Sequence, residues 1–156
     1  MRKFTADANI GLRILVGDQD IAAAVSDAQE EMITSMVTYT KQLVRLINEG
    51  KIILVFSDAV VEEMVFVMEK MYKVPRERIA KMITVLIEAD GVEASATIRE
   101  TLKLYPTLKL DLIDIKLSVI SKEQGIPVLT WDKGFKVITN CDYYTPKEVI
   151  INLTQE

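Results

Sequence analysis

GKIILVFSDAVVEEMVFVMEKMY, residues 50–72, joins two hydrophobic patterns of different period. Residues 52–56 form an unbroken apolar run of strand length, the pattern of a strand buried on both faces in a parallel sheet. After Ser57 or Asp58, either of which can cap a helix, the apolar positions change to helical spacing as far as about Tyr72. Upstream, residues 3–6 predict a short strand and residues 9–16 a brief helix that stops at Gly17 and Asp18. One long helix is predicted from Asp20 to Asn48. Val25, Ala28, Met32, Met36, Tyr39, Leu43 and Ile47 step along it by three and four as its buried face, and Gly50 stands just past its end. Downstream, Pro75 opens a helix over 76–89, residues 92–94 make a weak third strand, and 98–105 a short helix. Asp111 opens a helix that runs to Gln124 and closes at Gly125; residues 127–130 and the pair Tyr143 and Tyr144 supply two more strands. Strands alternate with helices throughout, so the fold class is α/β with a mainly parallel sheet of about five strands. With no repeat, linker or low-complexity stretch, the chain reads as one domain over 1–150 and a tail over 151–156.

Composition narrows the chemistry. The chain has 156 residues, 49% of them hydrophobic, with 6 Gly and 4 Pro, which supports one sizeable core and gives no signature of disorder. One cysteine, Cys141, excludes an intramolecular disulfide and a cysteine-rich zinc site. The absence of histidine excludes Ser-His-Asp and Cys-His catalysis, histidine bases and imidazole metal sites. A catalyst of this composition works with carboxylates, helped by hydroxyls, Lys or Arg. Nothing near Met1 has the pattern of a signal peptide, and no apolar stretch approaches the roughly 20 residues that span a bilayer, so a cytoplasmic protein without membrane contact is expected. The net charge of −4 argues, taken alone, against a nucleic-acid binder.

Where the acids fall matters more than their sum. Ligands of open α/β sheets bind outside the carboxyl ends of the strands, and Asp7 and Asp132 each directly follow a predicted strand. Either can equally close a strand or cap the next helix. In the helix after Ser57, Glu62 shares a stripe with Asp58 and Glu69, whereas Glu63 is spaced with Val60 and Val67 and is expected on the buried side. A buried acid needs a metal or a cation such as Lys70. Asp111 and Asp114 resemble a capping box at a helix N-terminus, with Asp114 backed by Leu117 and Ser118, yet both also lie on one helix face.

These residues together resemble the PIN-domain nucleases, most closely the VapC-like toxins of prokaryotic toxin–antitoxin pairs, over nearly the whole length. FTADANIGLRILVGD (4–18) is similar to the family opening of strand, Asp, small residue, Asn and a helix leading to Arg. SDAVVEEMVFVMEKMYKVPRERI (57–79) is similar to the helix with a single inward Glu, which falls on Glu63 and not Glu62. LDLIDIKLSVISKEQGIPVLTWDKGF (110–135) matches the Asp-rich helix, Gly, strand and Thr-aromatic-Asp signature. Ala8 stands where Thr or Ser is frequent, Gly134 replaces a frequent second acid, and the helix over 20–48 is longer than usual.

The resemblance implies a three-layer domain and a metal-dependent endoribonuclease whose catalytic and metal-binding acids are Asp7, Glu63, Asp114 and Asp132. Oxygen-only ligands select Mg²⁺ or Mn²⁺. Asn9, Thr130 and Asp111 would orient ligands or water, and Arg13, Lys133 and Lys136 would contact phosphate. Implied partners are an RNA substrate, a small antitoxin protein and a second copy in a homodimer, the long helix being a candidate contact unless Met32, Met36 and Leu43 simply fill the core. An RNA-processing nuclease without antitoxin and a non-catalytic binding module of the same fold are the alternatives. An aspartyl-phosphate phosphatase would want Asp where Asn9 stands, and a receiver domain would want an acidic pair where only Asp7 is found.

Overall fold

A computed structural model describes residues 1–137 and 141–154, the side chains of Lys136 and Val137 excepted, so the expected phosphate contact of Lys136 lies outside the described residues. The chain divides into two compact units, Met1–Ser95 and Ala96–Glu156.

In the first unit, β1 (Arg2–Thr5), β2 (Ile52–Val55) and β3 (Val92–Glu93) form a parallel sheet in the order β1-β2-β3. Thr5 lies opposite Val55, and Val55 opposite Glu93. Parallel neighbours need long crossovers, filled by α1 (Ala8–Ala22) with α2 (Asp27–Asn48), and by α3 (Asp58–Lys70) with α4 (Arg76–Ile87). The apolar run that predicts β2 is enclosed more fully on one face than on the other, not equally on both as expected: Ile52, Leu54 and Phe56 are buried, while Ile53 and Val55 are half-buried. Around it lie Leu12 and Val16 of α1, Val61, Met64, Val65 and Met68 of α3, and Ile79, Ile83 and Ile87 of α4. Burial of such side chains stabilises by roughly 1.5–3 kcal/mol each.

The helix expected over 20–48 is two helices. α1 continues through Gly17 and Asp18, and the break falls at residues 23–26, where Ser26 caps α2 by accepting from Gln29 N at 3.3 Å. Gly17 serves close approach instead of a stop, since a Cβ there would meet Val37 Cγ2 of α2 at 2.9 Å. The buried face of α2 is also shifted from the expected one: Ile33, Val37, Thr40 and Ile47 are inside. Met32, Met36 and Tyr39 are 58%, 41% and 69% exposed, so these two methionines do not fill the core.

The second unit contains α5 (Ala96–Leu104), α6 (Leu112–Gln124), β4 (Val128–Leu129), a 3₁₀ turn (Lys133–Val137), β5 (Tyr143–Tyr144) and α7 (Pro146–Thr154). Ile98, Leu102, Tyr105, Ile115 and Val119 are buried where α5 packs on α6. Gly125 ends α6 at φ 66°, the left-handed conformation anticipated for it. β4 and β5 pair in parallel with each other as a separate sheet. The five expected strands are therefore present among the described residues, but in two small sheets and not one. With two-residue strands, the apolar pattern marks position without specifying the neighbour. α7 runs through the residues assigned to a tail, and it begins with a capping box: Thr145 N donates to Glu148 Oε2 at 2.7 Å, and Glu148 N donates to Thr145 Oγ1 at 3.3 Å. Among the described residues no helix is long and apolar enough to cross a membrane.

Polar groups also lock the first unit. Asp20, 9% exposed, accepts from both Arg13 Nη1 and the Tyr72 hydroxyl, joining α1 to the segment after α3. Burial, then the bond to Asp20 and its charge, pushes the Tyr72 phenol up from 10.0 to about 12, so the neutral donor persists and its contribution, complete below the ordinary phenol value, is lost as pH rises from there through about 12. Tyr72→Phe should lower stability by about 1.5 kcal/mol, as loss of a hydrogen bond to a charged group, and Asp20→Ala by about 3 kcal/mol or more, because it leaves Arg13 uncompensated. Urea midpoints at unchanged denaturant dependence check both values.

Candidate functional site

Each unit presents its own acids. In the first, Ala6 N donates to Val55 O at 3.0 Å, which carries the β1 pairing one residue past the strand and sets Asp7 at the carboxyl edge. Asp7 adopts φ −84° and ψ 173°, and its Oδ1 accepts from Ile10 N at 3.1 Å, so it is the N-cap of α1. The capping role and an exposed position at the sheet edge hold together; Asn9 is exposed on the first turn behind it. At the same edge Ser57 follows β2 and caps α3, accepting from Val60 N at 3.4 Å.

On α3 the expectation for Glu63 is corrected. The buried stripe is Val61, Met64, Val65 and Met68, while Val60 and Val67 are only half-buried, and Glu63 is exposed on the face that also carries Phe66. Glu62 is the half-buried acid, with its Oε1 shut off from solvent. Valines at 60, 61, 65 and 67 allow two overlapping stripes, and Met64 and Met68 decide between them. The ion pair with Lys70 is also absent: Lys70 Nζ lies 3.7 Å from Glu69, and Glu63 has no ion pair among the described residues.

Arg13 is engaged. Its Nη1 pairs with Asp20, its side chain is 22% exposed, and its Nε is enclosed without a hydrogen-bond partner among the described residues. The guanidinium expected at a phosphate instead belongs to the interior lock of the first unit. Asp20, seven residues on along the same helix, is the signal that pointed there.

In the second unit three acids come together. Asp111 holds the N-cap position of α6 but makes no capping hydrogen bond, so the expected capping box is not formed. Asp114, in the first turn, is half-buried and has no hydrogen bond or ion pair among the described residues; Ser118 behind it is buried and Leu117 exposed. Asp132 sits in a tight turn after β4: its N–H donates to Thr130 Oγ1 at 2.9 Å, and its Oδ1 accepts from Gly134 N at 2.7 Å. Thr130 thus orients Asp132 through the backbone. The turn closes against the residue before Asp111, since a Cβ on Gly134 would stand 3.0 Å from Leu110 Cδ2. Lys133 is exposed at the start of the 3₁₀ turn.

Burial first, then the charges of Asp111 and Asp132, raise the Asp114 carboxyl above its ordinary value. Among the described residues no group of three or more acids is placed so that it could hold a metal ion. The donor chemistry nevertheless fits a hard cation: all donors are oxygens, and among the described residues Asp111, Asp114 and Asp132 make no ion pair with a lysine or arginine. In this unit Asp114, on which the charges of Asp111 and Asp132 act, is the group whose charge such an ion would offset, and Asp7 and Glu63 are exposed carboxylates of the other unit.

The raised value has a consequence for stability. The folded state binds the Asp114 proton more tightly than the unfolded chain does, so stability falls as pH rises from the ordinary carboxylate range through the folded-state value. Asp114→Asn should remove that fall, stabilising the metal-free protein at neutral pH by less than about 1 kcal/mol because the group is half-exposed and screened. Thermal unfolding of both proteins should differ at about pH 7 and converge below the ordinary carboxylate range.

Compared with known proteins, the chain matches no family model and no curated protein sequence.

Proposed function

We propose that the chain is a divalent-metal-dependent ribonuclease that hydrolyses RNA phosphodiester bonds, of the PIN-like, VapC-like kind its sequence resembles. The observation that supports this most is the group Asp111, Asp114 and Asp132: one acid in a cap position without capping, one half-buried without a partner, one aimed by its own turn. Local structure accounts for Asp132, which accepts from Gly134 N, but not for Asp111 or Asp114, whereas a cation opposite them would relieve the repulsion on Asp114.

When bound, Mg²⁺ or Mn²⁺ lowers the pKa of a water, orients it for in-line attack and stabilises the leaving 3′ oxygen. Asp7 and Glu63 in the first unit, and Asp114 and Asp132 in the second, are the carboxylates that the resemblance assigns to metal binding. The hydrogen bond from Asp132 N–H to Thr130 Oγ1 fixes the backbone that presents Asp132, while Asn9 and Asp111 hold ligands or water in orientation. Lys133, exposed beside Asp132, contacts phosphate. The toxin form of this reading adds a small antitoxin and a homodimer.

Wild-type protein incubated with single-stranded RNA and Mn²⁺ should cut it, and a chelator should abolish the cleavage. Asp7→Asn and Asp114→Asn should each lower the rate by about 10²-fold or more. Glu63→Gln should do the same and Glu62→Gln should not. Equal cleavage by wild type and both Asp variants would sink the reading.

A further inference from the structure

Residues 70–81, KMYKVPRERIAK, carry five cations and one acid, a local charge of +4 in a chain whose net charge is −4. They form the turn between α3 and α4 and the first half of α4. Arg76 is accounted for by Glu69, 3.6 Å from its Nε, and Lys70 Nζ lies 3.7 Å from the same carboxylate with half of its side chain in solvent. Lys73, Arg78 and Lys81 are exposed, and among the described residues their side chains make no ion pair or hydrogen bond. Lys73 stands at φ 55°, where Gly or Asn is less strained, so the turn itself does not call for a lysine.

The backbone beneath these cations is fixed. Tyr72 is pinned through its hydroxyl to Asp20, Val74 N donates to Met68 O at 3.0 Å, and the Glu69–Arg76 pair joins the end of α3 to the start of α4. Binding to such a surface loses little chain entropy. Its character selects the ligand. Between Arg76 and Ile83 the exposed residues are Glu77, Arg78 and Lys81, while Ile79, Ala80 and Ile83 are buried. Met71 is the one large apolar side chain exposed in the segment, and single ones are ordinary on any surface. The centre of a protein interface is depleted of charge and rich in apolar anchors. Unpaired cations without such anchors fit a polyanion, which releases its condensed counterions on contact. α3 links this surface to an acid of the proposed site: Glu63, Phe66 and Lys70 are exposed at steps of three and four on one stripe, and Lys70 stands two turns, about 10 Å along the axis, beyond Glu63.

We propose that Lys70, Lys73, Arg78 and Lys81 form a second RNA-binding surface on the α3–α4 turn, which holds the phosphate backbone of the substrate outside the cut bond without reading its bases. The proposal rests on the ribonuclease reading and adds a preference for RNA long enough to reach both places.

Asp114→Asn protein in Mg²⁺, which keeps the RNA uncut, should be titrated with a long, labelled, unstructured RNA over a series of salt concentrations, binding being followed by anisotropy. Adding Lys73→Gln, Arg78→Gln and Lys81→Gln should flatten the slope of log affinity against log salt by about 2. The charge-keeping set Lys73→Arg, Arg78→Lys and Lys81→Arg should restore it. Lys41→Gln, Lys51→Gln and Lys103→Gln, an equal loss of charge at residues already paired with acids, should leave it unaltered. In cleavage assays the first set should raise KM for the long RNA about 10-fold. An unchanged slope in the first set, or an equal fall in the paired set, overturns the proposal and leaves the ribonuclease reading intact. RNA bound through these cations and never cut by wild type overturns the ribonuclease reading alone, and wild type that neither binds nor cuts RNA overturns both.

Discussion

Parallel pairing is the constraint on which the rest of the structure depends. Strands that run side by side in one direction end at one edge, so whatever follows β1 and β2 in sequence arrives at the same place. That is how Asp7 and Ser57, fifty residues apart in numbering, come to begin their helices on a common rim. The return to that rim requires long crossovers, and the helices α1 to α4 are those crossovers. Their apolar faces then enclose β2, so the arrangement that places the acids also makes the core. In the second unit the same rule works on a smaller scale: β4 pairs in parallel with β5 and delivers Thr130, Trp131 and Asp132 from its end.

On this scaffold the acids divide by how much local structure accounts for them. Asp20 is fully explained by Arg13 and Tyr72. Asp58 receives a hydrogen bond from Ser95 Oγ at 2.6 Å, and Asp7 caps α1. Asp114 differs: burial first, then the charges of Asp111 and Asp132, raise its carboxyl, and among the described residues no cation pairs with it. Local rules that fail within an otherwise consistent structure commonly mark function. Here the failure is concentrated in the first turn of α6 and the turn after β4.

Much of this was legible in the sequence because certain residues permit few alternatives. Ser57 before a helical pattern, Gly125 after one, and an unbroken apolar run at 52–56 fixed β2, α3 and α6 to within a residue or two. The order of the acids and their places at strand ends and a helix start were equally readable. Tertiary packing decided the rest. Gly17 looks like a stop until Val37 fills the space beside it, and Ser26 marks a helix start that the continuing apolar pattern conceals. Met32, Met36 and Tyr39 have the right spacing but lose the inner face to Ile33 and Val37, which lie one residue further on. The valines of α3 support two registers, so the depth of Glu63 could not be read, and the charge of Arg13 did not reveal that Asp20 had claimed it. Thr145 through Glu148 carried a readable start signal for α7 that the expected tail obscured.

The Tyr72 to Asp20 contact spans 52 positions along the chain. It closes a ring that contains α2, β2 and α3, so one buried carboxylate ties the end of the first crossover's opening helix to the end of α3, and the entropy of closing that ring is offset by the packing of everything within it.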